Sequence, residues 1–139
     1  MPPLSGIETI LIVDDELAVL GLTHMMLRHC GYALIPASSG KEALHLFEVW
    51  PDLQVDLLMV DIVMPDMNGI ELAERIKVLR PGLPVLFFSA YSDQEILRPA
   101  IARKIPYIAK PFTSSQLTKK IREVLDKPKT ASAGSSETE

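Results

Sequence analysis

Five short apolar runs recur along the chain, at residues 10–13, 33–35, 57–60, 85–88 and 107–109. Most are continuous rather than alternating, the pattern of strands in a parallel sheet covered on both faces. Helix start signals fall between them. Ser39 stands three residues before Glu42, Asn68 before Glu71, Ser92 before Glu95, and Thr113 before Gln116. Each pairs an oxygen that accepts from orphan N–H groups with a side chain that reaches back or favours the positive helix end. Apolar stripes at helical spacing follow, Leu72, Ala73, Ile76 and Leu79 in one segment and Leu117, Ile121, Val124 and Leu125 in the last. Lys119, Lys120 and Arg122 fall off the last stripe. Strand and helix in alternation predict right-handed crossovers and an α/β three-layer sandwich with five helices.

Proline positions refine the topology. Pro36 closes the second predicted strand and Pro106 opens the fifth, and proline is tolerated best at sheet edges. With those strands outside, the parallel order 2-1-3-4-5 follows, placing strands one and three side by side at the switch point. Pro84 opens a strand that this order makes internal, which is allowed for a first residue. Residues 8–126 are read as one domain, after an N-terminal extension over residues 1–7. From Lys127 to Glu139 the composition turns to Lys, Pro, Ser, Thr, Ala, Gly and Glu, which predicts a flexible tail or truncated linker.

Composition narrows the function. Lys and Arg number 14 against 18 Asp and Glu in 139 residues, a balance of −4 that argues against nucleic-acid binding. Cys30 is the lone cysteine, so neither an internal disulfide nor a cysteine zinc cluster is expected. The apolar runs are too short to span a membrane and the first residues lack a signal-peptide pattern, which predicts a cytoplasmic protein.

The chemistry lies at the strand ends. The first predicted strand ends in Asp14-Asp15-Glu16, the third in Asp61, the fourth in Ser89 and the fifth in Lys110. A parallel sheet brings all these ends to one edge. Carboxylates crowded there repel unless a cation neutralises them, and Mg2+ suits the oxygen ligands available. Asp61, at a central strand end, is predicted to attack phosphorus as a carboxylate nucleophile and form an acyl phosphate. Lys110 and the metal would stabilise charge on the transferring group, and the Ser89 hydroxyl would hold another oxygen. Ala90 leaves space beside the reacting atom.

In order and spacing, Ile10-Leu11-Ile12-Val13-Asp14-Asp15-Glu16, Asp61-Ile62-Val63-Met64-Pro65-Asp66-Met67-Asn68-Gly69, Ser89-Ala90 and Tyr107-Ile108-Ala109-Lys110-Pro111-Phe112 resemble the response regulator receiver domains (CheY-like) of two-component signalling. The resemblance runs from about Glu8 to Asp126. It implies that Asp61 is phosphorylated from a phosphohistidine on a histidine kinase or phosphotransfer domain, in either a single-domain regulator or the receiver of a hybrid histidine kinase or larger regulator. It implies that Asp15, Asp61 and the Val63 carbonyl hold magnesium, with Asp14 acting through water. Ser89 and Tyr107 become a switch pair, and the Lys110–Pro111 peptide is expected to be cis. Val63 and Tyr91 take the two variable positions beside the site; an apolar and a bulky aromatic residue there imply slow self-dephosphorylation. The implied output is a downstream protein docking on the fourth helix, fifth strand and fifth helix, with a phosphorylation-dependent dimer as a further expectation. Turnover of an outside substrate is not expected.

Two features depart from the family pattern. Arg103 and Lys104 stand where relatives commonly carry Gly-Ala, and Pro99 falls inside the expected fourth helix, which it should kink or shorten. Other classes fit less well. An aspartyl-phosphate hydrolase would want an acid two residues after its nucleophile, where this chain has Val63. A flavin-binding electron carrier would want a small-residue phosphate loop after strand one, where Asp14-Asp15-Glu16 would repel phosphate. A receiver kept only as a scaffold would not need the acceptor residues that are present. His24, His29 and His45 are read as surface or packing residues.

Overall fold

The apolar runs form five parallel strands: β1 (Thr9–Val13), β2 (Ala33–Ala37), β3 (Leu57–Asp61), β4 (Val85–Ala90) and β5 (Tyr107–Lys110). Their order is β2-β1-β3-β4-β5, as the prolines predict. The computed structural model describes residues 6–90 and 94–126. Ser92, Tyr91 and the predicted tail over 127–139 lie outside the described residues.

Helices alternate with the strands: α1 (Leu17–Arg28), α2 (Gly40–Val49), α3 (Gly69–Leu79), α4 (Gln94–Ala102) and α5 (Ser114–Leu125). Successive strand residues point to opposite faces, so the inner strands β1, β3 and β4 each feed two cores. Leu11, Val13, Leu58, Val60 and Phe87 pack with Ala43, Phe47, Leu72 and Ile76 of α2 and α3. Ile10, Ile12, Met59, Leu86 and Phe88 pack with Leu20, Leu27, Leu117 and Ile121 of α1 and α5. This two-sided burial is why the runs are continuous. Among the described residues, no helix is long and apolar enough to cross a membrane.

The prolines serve the ladder by their carbonyls. Pro36 lies within edge strand β2 opposite Ile12 and is followed by one more strand residue, Ala37, so it does not quite close the strand. Pro84 and Pro106 sit just before β4 and β5, and their carbonyls accept from Leu58 N–H and Phe87 N–H at 3.0 and 3.1 Å.

Three of the predicted caps form. Ser39 Oγ accepts from Glu42 N–H at 3.0 Å, Asn68 Oδ1 from Glu71 N–H at 2.8 Å, and Thr113 with Gln116 makes the full reciprocal box. One stripe position differs from expectation. Leu79, the last residue of α3, is half exposed. The chain turns there, and Leu83 is buried instead, while the Arg80 guanidinium lies over the Phe47 ring and donates to the Leu53 and Pro51 carbonyls. Pro99 lies inside α4, yet helical bonding continues past it, since Arg103 N–H reaches the Pro99 carbonyl at 3.1 Å. His24, His29 and His45 are exposed.

Candidate functional site

Register explains why the polar strand ends meet. Val13 pairs with Val60, so Asp14 and Asp61, each one residue further on, stand at the same level on neighbouring strands. Asp61 in turn pairs with Phe88, and Ala90 with Lys110. Carboxylate oxygens of Asp14, Asp15 and Asp61 lie within 4.8 Å of one another. Asp14 and Asp61 are buried, whereas Asp15 is exposed at the rim.

Asp14 and Asp61 are each held by a backbone N–H and by one shared ammonium. Asp14 Oδ1 accepts from Glu16 N–H at 2.9 Å, and Asp61 Oδ1 from Val63 N–H at 3.3 Å. Lys110 Nζ reaches Asp14 Oδ2 at 3.0 Å and Asp61 Oδ2 at 3.2 Å. Glu16, mostly exposed, comes within 3.5 Å of the same nitrogen. The lysine is aimed by its surroundings: its ammonium lies 5.9 Å from the centre of the Phe88 ring, and Phe88 stacks on Phe112 just past the cis Lys110–Pro111 peptide.

These neighbours set the charge states. Burial pushes the Asp61 carboxyl up to about 6, with the Asp14 charge adding to the rise and Lys110 and the Val63 N–H opposing it. Burial works against the Lys110 charge, but the hydrogen bond and charge of Asp14, joined by Asp61, raise its pKa. The pocket therefore holds more negative charge than one lysine balances. Hard oxygen donors in such a cluster fit a divalent cation of the magnesium type, which takes one or two carboxylates and keeps waters.

The remaining predicted residues lie where the strands carry them. Ser89 is buried and donates to the Ala90 carbonyl at 3.1 Å. Val63 stands at the rim, 42% exposed, and Tyr107 on β5 is 39% exposed. One contact has no local signal in the sequence. Asp66, in the loop after β3, accepts from Gly40 N–H at 3.3 Å and Lys41 N–H at 3.0 Å, across 26 and 25 residues.

Known proteins are similar to this chain in sequence and fold. A family model described as the response regulator receiver domain matches residues 10–122. The chain is 36% identical over 126 residues to the sensor kinase CckA of Brucella abortus, covering 89% of this chain and 13% of that protein. It is 33% identical to the transcriptional regulatory protein ZraR of Escherichia coli, covering 84% of this chain and 26% of that one. The chain thus spans only a minor part of these curated relatives.

Among solved structures, a CheY-like receiver domain protein from Methanospirillum hungatei superposes with a TM-score of 0.76 at 34% identity, covering 87% of this chain and 95% of that one. The response regulator TrrA of Thermotoga maritima, solved in complex with Mg(2+)-BeF, gives a TM-score of 0.72 at 30% identity, covering 85% and 99%. With the family match spanning most of its length and its fold shared with a CheY-like receiver domain protein, the chain belongs to the response regulator receiver domains of two-component systems.

Proposed function

We propose that residues 8–126 act as a phosphoryl-accepting unit in which Asp61 is the acceptor and a phosphohistidine on a histidine kinase or phosphotransfer domain is the donor. The observation that carries this reading is the buried Asp61 carboxylate sharing one hollow with Asp14, Asp15 and Lys110. An Asp61 oxygen forms the new bond to phosphorus as the phosphorus–nitrogen bond breaks, leaving the electron pair on the donor imidazole. The nucleophile needs no base once ionised.

Asp14, Asp15, Asp61 and the Val63 carbonyl would hold Mg2+, with Asp14 acting through water. When bound, the ion supplies positive charge against the phosphoryl oxygens. Lys110 does the same from the other side, at a distance that already suits an anionic oxygen. Ser89, whose hydroxyl now points to a backbone carbonyl, is the partner for a third oxygen after rotation, and Ala90 leaves that side open. Turning of Ser89 and of Tyr107 is the conformational signal in this reading. The chain catalyses only its own phosphorylation and dephosphorylation.

The output face in this reading is α4, β5 and α5. Tyr107, Ala109, Gln116, Lys119, Lys120 and Glu123 border an open groove between β5 and α5 that a downstream protein segment would enter. The test of the acceptor is direct. Incubation with magnesium and a small phosphodonor should add one phosphoryl mass to the wild-type chain and none to Asp61→Asn. A mass gain that survives the substitution overturns the assignment.

A further inference from the structure

The loop 62–68 carries Val63 past the acidic pocket and exposes Val63, Pro65, Asp66 and Asn68. Ile62 and Met64 of the loop are buried in the core, but its exposed positions sit at the low-stability end of a fold unless something further ties them down. The base of the loop is closed by Gly69 N–H donating to the Ile62 carbonyl at 2.8 Å. Gly69 is required for that approach, since a Cβ there would meet the Asp61 carbonyl oxygen at 2.4 Å. The outer end is held by α2. Asp66 accepts from Gly40 N–H and Lys41 N–H, two of the orphan donors in the first turn. Beside it the Met67 side chain fills the notch over Gly40, where a Cβ would stand 2.6 Å from the Met67 Cγ. Ser39 takes the next donor, Glu42 N–H, from the local N-cap position.

The helix thus has two separate caps, one local and one supplied by the loop that borders the site. The charge on Asp66 suits a helix N-terminus. Its carboxyl lies below the ordinary range even though partial burial opposes this, because the N–H groups of Lys41 and Gly40 favour the ionised form.

We propose that Asp66 is a positioning residue for the acceptor pocket, fixing the 62–68 loop on the first turn of α2 so that Val63 is presented to Asp61 before any ligand arrives. The proposal rests on the pocket's reading as a magnesium-dependent acceptor, and its signature differs from that of a simple helix cap. Ser39→Ala removes the local cap and leaves the loop tied. Asp66→Ala removes the loop's tie as well as a cap. Asp66→Asn loses the charge and keeps an acceptor oxygen.

The experiment uses the whole chain in two conditions. Amide hydrogen exchange is followed without metal, and Mg2+ alone is titrated by calorimetry. In Ser39→Ala, faster exchange is expected only in the first turn of α2, with magnesium affinity within about twofold of wild type. In Asp66→Ala, exchange at Val63 and Met64 should rise too, and magnesium affinity should fall about tenfold, the scale typical of lost outer-shell support. Asp66→Asn should recover most of the protection and affinity.

Equal behaviour of Ser39→Ala and Asp66→Ala at both readouts overturns the proposal in favour of plain capping. Equal loss in Asp66→Asn and Asp66→Ala assigns the effect to charge alone and overturns it as well. A wild-type chain that fails to bind Mg2+ overturns the acceptor reading instead, while the metal-free exchange pattern still decides whether Asp66 ties the loop.

Discussion

The Lys110 ammonium stands 3.2 Å from Asp61 Oδ2, close enough to donate to the carboxylate that the proposed chemistry needs as a nucleophile. The same ammonium reaches Asp14 at 3.0 Å, so one cation bridges the two buried acids. A bridge of this kind keeps Asp61 ionised in part and leaves a positive group waiting where phosphoryl oxygens arrive. Removing it should hurt the transition state more than metal binding. We expect Lys110→Ala to slow phosphoryl acceptance from a small donor by about a hundredfold, the scale of one lost oxyanion partner. Magnesium affinity should be equal or higher, because a competing positive charge is gone. Rates by mass spectrometry and affinities by calorimetry separate these; an affinity loss as large as the rate loss would contradict the division of roles.

Burial makes Asp61 costly to ionise in the metal-free chain. Its carboxyl lies at about 6, against an unperturbed 3.8. Between those values the folded chain retains a proton that the unfolded chain has lost. Stability is therefore highest below about pH 4 as far as this group is concerned, falls as pH rises through about 6, and then levels. A two-unit displacement corresponds to about 3 kcal/mol at most. Urea unfolding in chelator at pH 4.5 and 7.5 should show that fall in the wild type and a much smaller one in Asp61→Asn, which should be the more stable protein at pH 7.5. An identical pH slope in both would move the cost elsewhere.

What the sequence made legible followed from short-range rules. Continuous runs such as residues 57–60 announce a strand with two covered faces, and Ser39, Asn68 and Thr113 announce their helices within three residues. The acidic pocket was legible because a parallel sheet sends all C-terminal strand ends to one edge, whatever the loops do. Asp66 gave no such sign. Its partners lie 26 and 25 residues back, and an aspartate after a proline reads equally well as a turn. Leu79 misled for a related reason: helical periodicity does not tell where the helix stops, and the arginine that follows covers Phe47 in its place.

The end of α4 carries strain that one substitution relieves. Lys104 adopts φ 59°, the left-handed region, while its N–H reaches the Ile101 carbonyl at 3.0 Å and Ile105 N–H reaches the Ala100 carbonyl at 2.9 Å. That is the paired closure in which glycine is the favoured residue. Lys104→Gly should stabilise the chain by about 0.5–1 kcal/mol, the relief of strain being offset in part by greater freedom of the unfolded chain. Lys104→Val should do the opposite, since a β-branched side chain tolerates this region worst. Thermal unfolding of the three proteins tests the order; a glycine variant less stable than wild type would show that the lysine makes a compensating contact.

Val63, 42% exposed at the rim, offers no polar atom on its side chain to orient an attacking water. With Tyr91 read from the family pattern as the other flanking residue, the phosphorylated chain is predicted to lose its phosphoryl group slowly, over minutes or longer. Val63→Glu, or replacement of Tyr91 by a small or acidic residue, should shorten the lifetime severalfold. Decay measured after removal of the donor decides this; a wild-type lifetime of seconds, unchanged in Tyr91→Ser, would remove the idea.

The far end of the domain has a clasp of its own. Arg122 of α5 donates to both carboxylate oxygens of Glu8 at 2.9 and 3.1 Å, to the Tyr32 hydroxyl at 3.2 Å, and to Asp126. The hydrogen bond from Arg122 outweighs burial and holds the Glu8 carboxyl below its ordinary 4.5. For an acid lowered in this way, the stabilisation is complete above about pH 4.5 and fades as pH drops through the folded value. The pair is well shielded, with 18% and 26% of the two side chains exposed, so it should count for more than a surface ion pair. Glu8→Gln should cost about 1.5 kcal/mol at pH 7, the lower range for a charge-assisted bond, and the deficit should shrink as pH is lowered from 5 toward 3. Urea unfolding across that range reads it out. A deficit that stayed constant with pH would mean that Arg122 holds residue 8 by its shape and packing, with the carboxylate charge contributing nothing.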